Sequence, residues 1–451
     1  MRQVDVRART RRCPPSHAQD RRANRVRRAL YSLLLFVLLP LALLHLAWRA
    51  RRQPEYLRHV GERLGRHARQ PGDATASARP LVWIHAVSVG ETRAAAPLLE
   101  ALLERHPGHC ILLTHTTPTG RATGEQLFGE RVLRAYLPWD LPFAVNAFLD
   151  HYRPVAGLLM ETEIWFNLAA ACQRRGVPLL LVNARLSERS ARGYGRLARL
   201  TAAALGSLAG VAAQTPADAA RLESLGAKAP EVTGNLKFDV TPPPALLSLG
   251  TQLRARFGAT RPVLLAASTR EGEEPLVLDA FASLQVPGAL LVVVPRHPQR
   301  FDEVEKLVLA RGWRCVRRSA SGAAADDVAV VLGDSMGEMF AYYAWSDVAF
   351  VGGSLLPLGG QNLIEAAAAG RPVLTGPHTF NFADASRLAV AAGAAQVVHD
   401  SAELAAAARL LLTDPAAHAR ASQAALAFAT AHRGATARTL TLIASKVPAL
   451  R

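Results

Sequence analysis

The sequence predicts an α/β protein made of two doubly wound, Rossmann-like domains behind an N-terminal membrane-anchor helix. Three observations predict it. From residue 80 onward, short continuous apolar runs alternate with helix-length segments, the pattern of parallel strands covered on both faces. The alternation breaks at "TPPP" (241–244) and then restarts. Near the N-terminus, "ALYSLLLFVLLPLALLHLAW" (29–48) carries no charge apart from the titratable His45. A length of 451 residues also exceeds what one average core organises, so two domains are expected.

In chain order, residues 1–28 are expected to be a basic, disordered extension. Residues 29–48 follow as the anchor: twenty residues at about 1.5 Å rise reach about 30 Å, the thickness of a bilayer's hydrocarbon core. Arg27 and Arg28 precede this segment, and Arg49, Arg51 and Arg52 follow it. No small-residue cleavage site comes after it, so it reads as an uncleaved anchor. Residues 49–79 form a basic juxtamembrane stretch whose arginines are expected at anionic headgroups. The first domain, 80–240, supplies the strand-like runs "LVWIHAVS", "CILLTHTT", "RVLRAYLP", "VAGLLMET" and "PLLLVNAR". Residues 241–259 are expected to be a linker, because consecutive prolines suit neither a helix interior nor a central strand. The second domain, 260–451, supplies "RPVLLAAST", "ALLVVVPRHP", "VAVVLGD", "VAFVGGS" and "RPVLTGP", with a helical tail over 401–447. Two such domains imply a cleft, with ligands at the carboxyl ends of the strands.

Several function classes drop out. The net charge of +17 is concentrated at one end: residues 1–71 hold 17 Arg, no Lys and four acids, or +13, leaving +4 for the rest. A nucleic-acid binder would carry its charge on a globular face instead, so no nucleic-acid partner is expected. Cys13, Cys110, Cys172 and Cys315 have neither metal spacing nor a disulfide pattern. No G-x-G-x-x-G follows the first strand of either half, and no G-x-x-x-x-G-K-[ST] occurs. D-x-D is also absent, so a metal clamped to a diphosphate is not indicated; no metal and no cofactor are expected.

Candidate chemistry gathers at strand ends. "SVGE" puts Glu91 just after the first strand. "METE" puts Glu161 and Glu163 after the fourth, and "GNLKFD" puts Lys237 before the linker. In the second half, "PRHP" (Pro295, Arg296), "GDSMGE" (Met336, Gly337, Glu338) and a Gly-rich turn leading to Asn362, Leu363, Ile364 and Glu365 end three strands. Each has a purely structural reading. Ser88 and Glu91 fit a helix capping box, Glu161 and Glu163 fit a helix start, and Asp334 or Ser335 fits a cap. Lys237 and Arg296 fit solvated surface charges, and the Gly-rich stretch fits a turn. Together they also make a layout of acids in one half and anion-binding groups in the other, which suits group transfer from a nucleotide donor to a hydroxyl.

Nine motifs occur in one order over 80–385: "HAVSVGE", "METEIW", "NARLSERS", "GNLKFD", "PRHPQRF", "GDSMGE", "FVGGS", "GGQN" and "GPHTFNF". With the anchor, they resemble the 3-deoxy-D-manno-octulosonic acid (Kdo) transferases of lipopolysaccharide synthesis. That resemblance implies a GT-B fold and a metal-independent, inverting transfer of Kdo from CMP-Kdo to the lipid A precursor. It further implies work at the cytoplasmic side of the inner membrane, among anionic lipids. It implies Glu91 as proton acceptor, with Glu161 and Lys237 stabilising the transition state. CMP would be bound by Pro295 and Arg296, by Met336, Gly337 and Glu338, and by Asn362, Leu363, Ile364 and Glu365. The chain departs from the family at Leu363, where a proline is common and would pre-set φ at the helix start. Two alternatives stay open at this point: another membrane-associated transferase of the same fold using a UDP-sugar, and a catalytically dead membrane-tethered scaffold.

Overall fold

The apolar runs become strands because both of their faces are covered. The computed structural model describes residues 17–67, 79–320 and 327–451, with residues 17–22 described as backbone alone. The chain divides into two units. The first holds the described residues up to Leu236 together with Gly434–Arg451, and the second is Lys237–Arg433.

In the first unit, β1 (Leu81–His85), β2 (Cys110–His115), β3 (Leu133–Tyr136), β4 (Ala156–Met160), β5 (Leu179–Ala184), β6 (Gly210–Ala213) and β7 (Glu231–Val232) form one parallel sheet. Its order, β3-β2-β1-β4-β5-β6-β7, reverses direction between β1 and β4. All residues of β1, β4 and β5 are buried. Trp83, Leu112, Phe148 and Leu159 pack on one face, and Ile84, Leu98, Leu158 and Val182 on the other.

The second unit repeats the plan. β8 (Val263–Thr269), β9 (Leu290–Pro295), β10 (Cys315–Arg317), β11 (Val330–Leu332), β12 (Val348–Val351), β13 (Val373–Thr375) and β14 (Ala395–Val397) are parallel in the order β10-β11-β9-β8-β12-β13-β14. Here the reversal falls between β8 and β12. In such sheets the crevice at the carboxyl ends of the reversing strands is the natural ligand position.

Several expectations are corrected. The short strand β6 and the short edge strands β7, β10 and β14 have no counterpart among the expected strand runs. Residues 241–259 are not a linker throughout, because Pro244–Phe257 is a helix whose first residue is proline. A proline at that position lacks only an N–H that would go unpaired anyway. The helix Ala435–Lys446 belongs to the first unit rather than the second, since Leu440, Leu442 and Ile443 join the core of β1, β5 and β6.

At the N-terminus one helix runs from His17 to Ala50, so 17–28 is helical, while 1–16 lies outside the described residues. Its stretch Ala23–Ala50, of mean hydropathy 2.3, is long and apolar enough to cross a membrane by length and composition. Polar contacts tie it to the first unit. Tyr31 Oη donates to Asp140 Oδ2 (3.1 Å), Asn167 Nδ2 donates to Ser32 Oγ (3.0 Å), and Phe36 stacks on Phe143. Farther along, Leu46 and Ala50 pack with Tyr56. Arg63 is not at a headgroup surface: it is buried, its guanidinium lies over the Tyr136 ring, and it donates to the Thr116 carbonyl at 2.8 Å.

Candidate active site

In the first unit the chemistry collects where β1 and β4 end side by side. β1 stops at His85, and Ser88 caps the helix Val89–Arg105 by accepting the Glu91 N–H at 3.4 Å. The Glu91 carboxylate turns back, and its Oε2 accepts the Val87 N–H at 2.6 Å. The capping box is therefore offset, since a reciprocal one would use the Ser88 N–H. The Val87 carbonyl in turn accepts from the Thr117 hydroxyl (3.0 Å) and the Thr116 N–H (3.4 Å). His115 Nδ1 meets the Ala86 carbonyl at 2.9 Å. The turn that aims Glu91 is thus fixed from β2 and its loop.

On the neighbouring strand end, Glu161 adopts φ of 57° while its N–H stays bonded to the Val182 carbonyl. A non-glycine residue in this region costs on the order of 1 kcal/mol or more and marks a position held by its surroundings. Glu163 accepts from Trp165 Nε1 at 2.7 Å. Burial, reinforced by the charge of Glu161, holds its carboxyl above the ordinary value against that hydrogen bond.

Two buried histidines underlie this surface. Burial first, then the charge of His115, depresses His85 to about 3, while the Thr114 carbonyl opposes the shift. Burial likewise lowers His115 to about 4, against the pull of the Ala86 carbonyl. Both are neutral at neutral pH, and the Nε2 of each is buried without a protein partner among the described residues.

In the second unit, Pro295 closes β9 buried, and the Arg296 N–H bonds the Thr269 carbonyl of β8 at 2.9 Å. Arg270 follows on β8. Around His297, burial and the charges of Arg296, Arg270 and Arg300 hold the imidazole below its ordinary value. Arg300 is neutralised by buried Glu274, at 2.8 Å. The segment 336–338 follows β11. Gly337 has φ of 81°, Met336 is exposed, and Glu338 accepts from Arg318 at 3.0 Å and from the Ser335 hydroxyl. The expected caps are corrected here. The helix starts later, at Met339, and Asp334 instead accepts from the Ser319 N–H at 2.9 Å.

Asn362 Oδ1 accepts the Ile364 N–H (3.1 Å), and its Nδ2 donates to Glu365 Oε1 (3.0 Å). Leu363 and Ile364 are core residues, so their side chains are withdrawn from a ligand. Lys237, in the short 3-10 turn Leu236–Phe238, has its Nζ 5.6 Å from the centre of the Phe382 ring, in the loop after β13. Residues of the second-unit set thus follow the carboxyl ends of β9, β11 and β12, and Lys237 is drawn to the loop after β13.

Sequence reasoning missed Glu273. Its fully buried carboxylate accepts backbone N–H groups from Arg270 (3.0 Å), Gly353, Ser354 (2.8 Å) and Leu355 (3.0 Å). The Gly-rich turn after β12 therefore already holds an anion, one belonging to the protein itself. Gly353 must be glycine for that turn, with φ of 67°. The signal was the pair of acids in "TREGEE" directly after a strand. Among the described residues, no group of three or more His, Cys, Asp or Glu is placed to hold a metal ion.

Comparison with known proteins adds the family. Residues 58–240 match the family model described as 3-Deoxy-D-manno-octulosonic-acid transferase (kdotransferase). The 3-deoxy-D-manno-octulosonic acid transferase of Bordetella pertussis is 50% identical over 427 residues, covering 92% of this chain and 98% of the relative. The protein of the same name from Haemophilus influenzae is 36% identical, with 92% and 98% covered. Among solved structures, UDP-GlcNAc 2-epimerase from Neisseria meningitidis shares the fold, at a TM-score of 0.55 and 16% identity over 81% of this chain and 100% of that one. Two parallel seven-stranded units of the GT-B kind, with 50% and 36% identity to named transferases over 92% of the chain, lead to one conclusion: the chain belongs to the 3-deoxy-D-manno-octulosonic acid transferase family and is a glycosyltransferase.

Proposed function

We propose that the enzyme transfers Kdo from CMP-Kdo to the lipid A precursor, with inversion, at the cytoplasmic face of the inner membrane. The observation that carries this reading is the fixing of Glu91. Its carboxylate is pinned at a helix start beside the end of β4, with one oxygen on the Val87 N–H.

In the reaction, the acceptor sugar hydroxyl attacks the anomeric carbon of Kdo and gives its proton to Glu91. The bond from that carbon to the phosphate oxygen breaks, and its electron pair leaves with CMP. A single displacement opposite the leaving group inverts the centre. A positioned base of this kind contributes about 10²–10⁴-fold. Arg296 and Pro295, the segment Met336, Gly337 and Glu338, and Asn362 to Glu365 would hold CMP. Leu363 and Ile364 would take part through their backbone, because their side chains are in the core. Arg296 supplies a cation for the leaving phosphate, Lys237 offsets the donor carboxylate, and Glu161 acts beside Glu91. The chemistry calls on no metal. The helix Ala23–Ala50 supports a membrane address, where a lipid acceptor is found.

The test is to incubate the purified protein with CMP-Kdo and tetraacylated lipid A precursor and to weigh the products. A mass gain equal to one or more Kdo residues is expected. No gain with CMP-Kdo, and a gain with a UDP-sugar, would reject the reading.

A further inference from the structure

The N-terminal helix and the helix Phe166–Arg175 run side by side, joined by the Ser32–Asn167 hydrogen bond. Between them lies an open groove of about 590 Å³ with an apolar lining that includes Leu33, Phe36 and Val145. A second groove, of about 450 Å³, adjoins it, and the two share Arg25, Arg28 and Arg174. No ion pair among the described residues engages any of these three arginines. The carboxylate nearest in the helix contacts, Asp140, is not available to them. Asp140 is already committed to the Asn167 and Leu168 N–H groups and to Tyr31.

Three guanidiniums gathered at one end of an apolar trough match a ligand with an anionic head and a hydrocarbon tail. Guanidinium forks bind phosphate oxygens in pairs. The apolar wall also continues into the exposed side chains Leu34, Val37 and Leu41 of the same helix, so a chain laid in the groove runs on along an apolar surface. A free anion would use the arginines and leave the trough unfilled.

We propose that this groove seats an anionic phospholipid of the bilayer, its phosphate held by Arg25, Arg28 and Arg174 and its acyl chains laid along Leu33, Phe36 and Val145. The seat is independent of the Kdo chemistry and makes the enzyme's membrane attachment selective for acidic lipid.

The test uses the full-length protein and short-chain lipids below their micelle concentration, followed by calorimetry. Dihexanoyl-phosphatidylglycerol should bind at least about tenfold more tightly than dihexanoyl-phosphatidylcholine, on the scale of roughly fivefold per arginine contact. The double variant Arg28→Gln/Arg174→Gln should lose that preference. The double variant Arg51→Gln/Arg58→Gln, the same charge change at exposed positions outside the groove, should keep it. If the double variant does not fold, Arg28→Lys/Arg174→Lys retains charge but loses the fork, and should cut the preference at least about threefold. An equal loss in Arg51→Gln/Arg58→Gln would reduce the effect to diffuse surface charge and overturn the seat. Inorganic phosphate binding as tightly as the lipid would overturn the lipid part. Displacement of the short-chain lipid by the lipid A precursor would reassign the occupant to the acceptor and overturn it as stated.

Discussion

At the residue scale, Glu91 holds two roles that one substitution separates. In Glu91→Gln the amide oxygen can still accept the Val87 N–H, so the turn and the melting temperature should barely change. The amide has no proton affinity to lend an attacking hydroxyl, so turnover at saturating donor and acceptor should fall by at least ~100-fold. Near-normal turnover would move the base to Glu161 or Glu163. The buried histidines make a second residue-scale prediction. His85 and His115 are depressed to about 3 and about 4 by burial, whereas an unfolded histidine titrates near 6.5. As pH falls from about 6.5 toward 4, the unfolded state therefore binds up to two protons that the folded state refuses. Stability is fully present above 6.5 and is lost below it, by up to about 2.7 kcal/mol per pH unit. Denaturant unfolding at pH 7 and pH 5 measures the slope, to which His67, also depressed to about 4, adds and which Asp140, raised to about 6, opposes; His115→Gln should reduce it by one proton. An unchanged slope in the variant would clear His115.

At the scale of elements, the loops after β12 and β13 are held in contact by glycine. A Cβ on Gly376 would collide with the Ser354 carbonyl oxygen, which is held in place by the His378 N–H (3.0 Å) and by the Leu355 N–H of the same peptide, bonded to Glu273 (3.0 Å). Gly376→Ala should therefore destabilise the second unit by about 1–3 kcal/mol and weaken CMP binding with it. Unaltered melting and affinity would show that these loops are pliant. Long, fully buried strands were legible in the sequence: "LVWIH" and "LLVVVP" are continuous apolar runs because both faces are covered. The edge strands β7 and β10 were not, since two or three half-exposed residues carry no periodic signal. The candidate residues were legible as positions at strand ends. What each one touches was not: nothing local to Glu273 announces that it accepts hydrogen bonds from residues 353–355. "TPPP" misled because proline marks a helix start as readily as a linker.

At the scale of the whole molecule, the sequence carries no D-x-D, and a CMP-sugar donor bears a single phosphate. Transfer should accordingly survive excess EDTA, measured by product mass, and activity lost to chelation and restored by Mg²⁺ would reject a metal-free mechanism. The division of the chain has a consequence of another kind. The second unit, Lys237–Arg433, is inserted within the first, whose last helix, Ala435–Lys446, arrives after it. A ribosome adding about 5–20 residues per second takes roughly 10–40 s to make the insert. For all that time the growing chain displays Val82, Ile84 and Val182 without Leu440, Leu442 and Ile443, the partners that later join their core. The unit that begins synthesis first is thus the one that finishes folding last, and the nascent chain has an exposed apolar face for which a chaperone, or the membrane itself, must stand in until the final helix emerges.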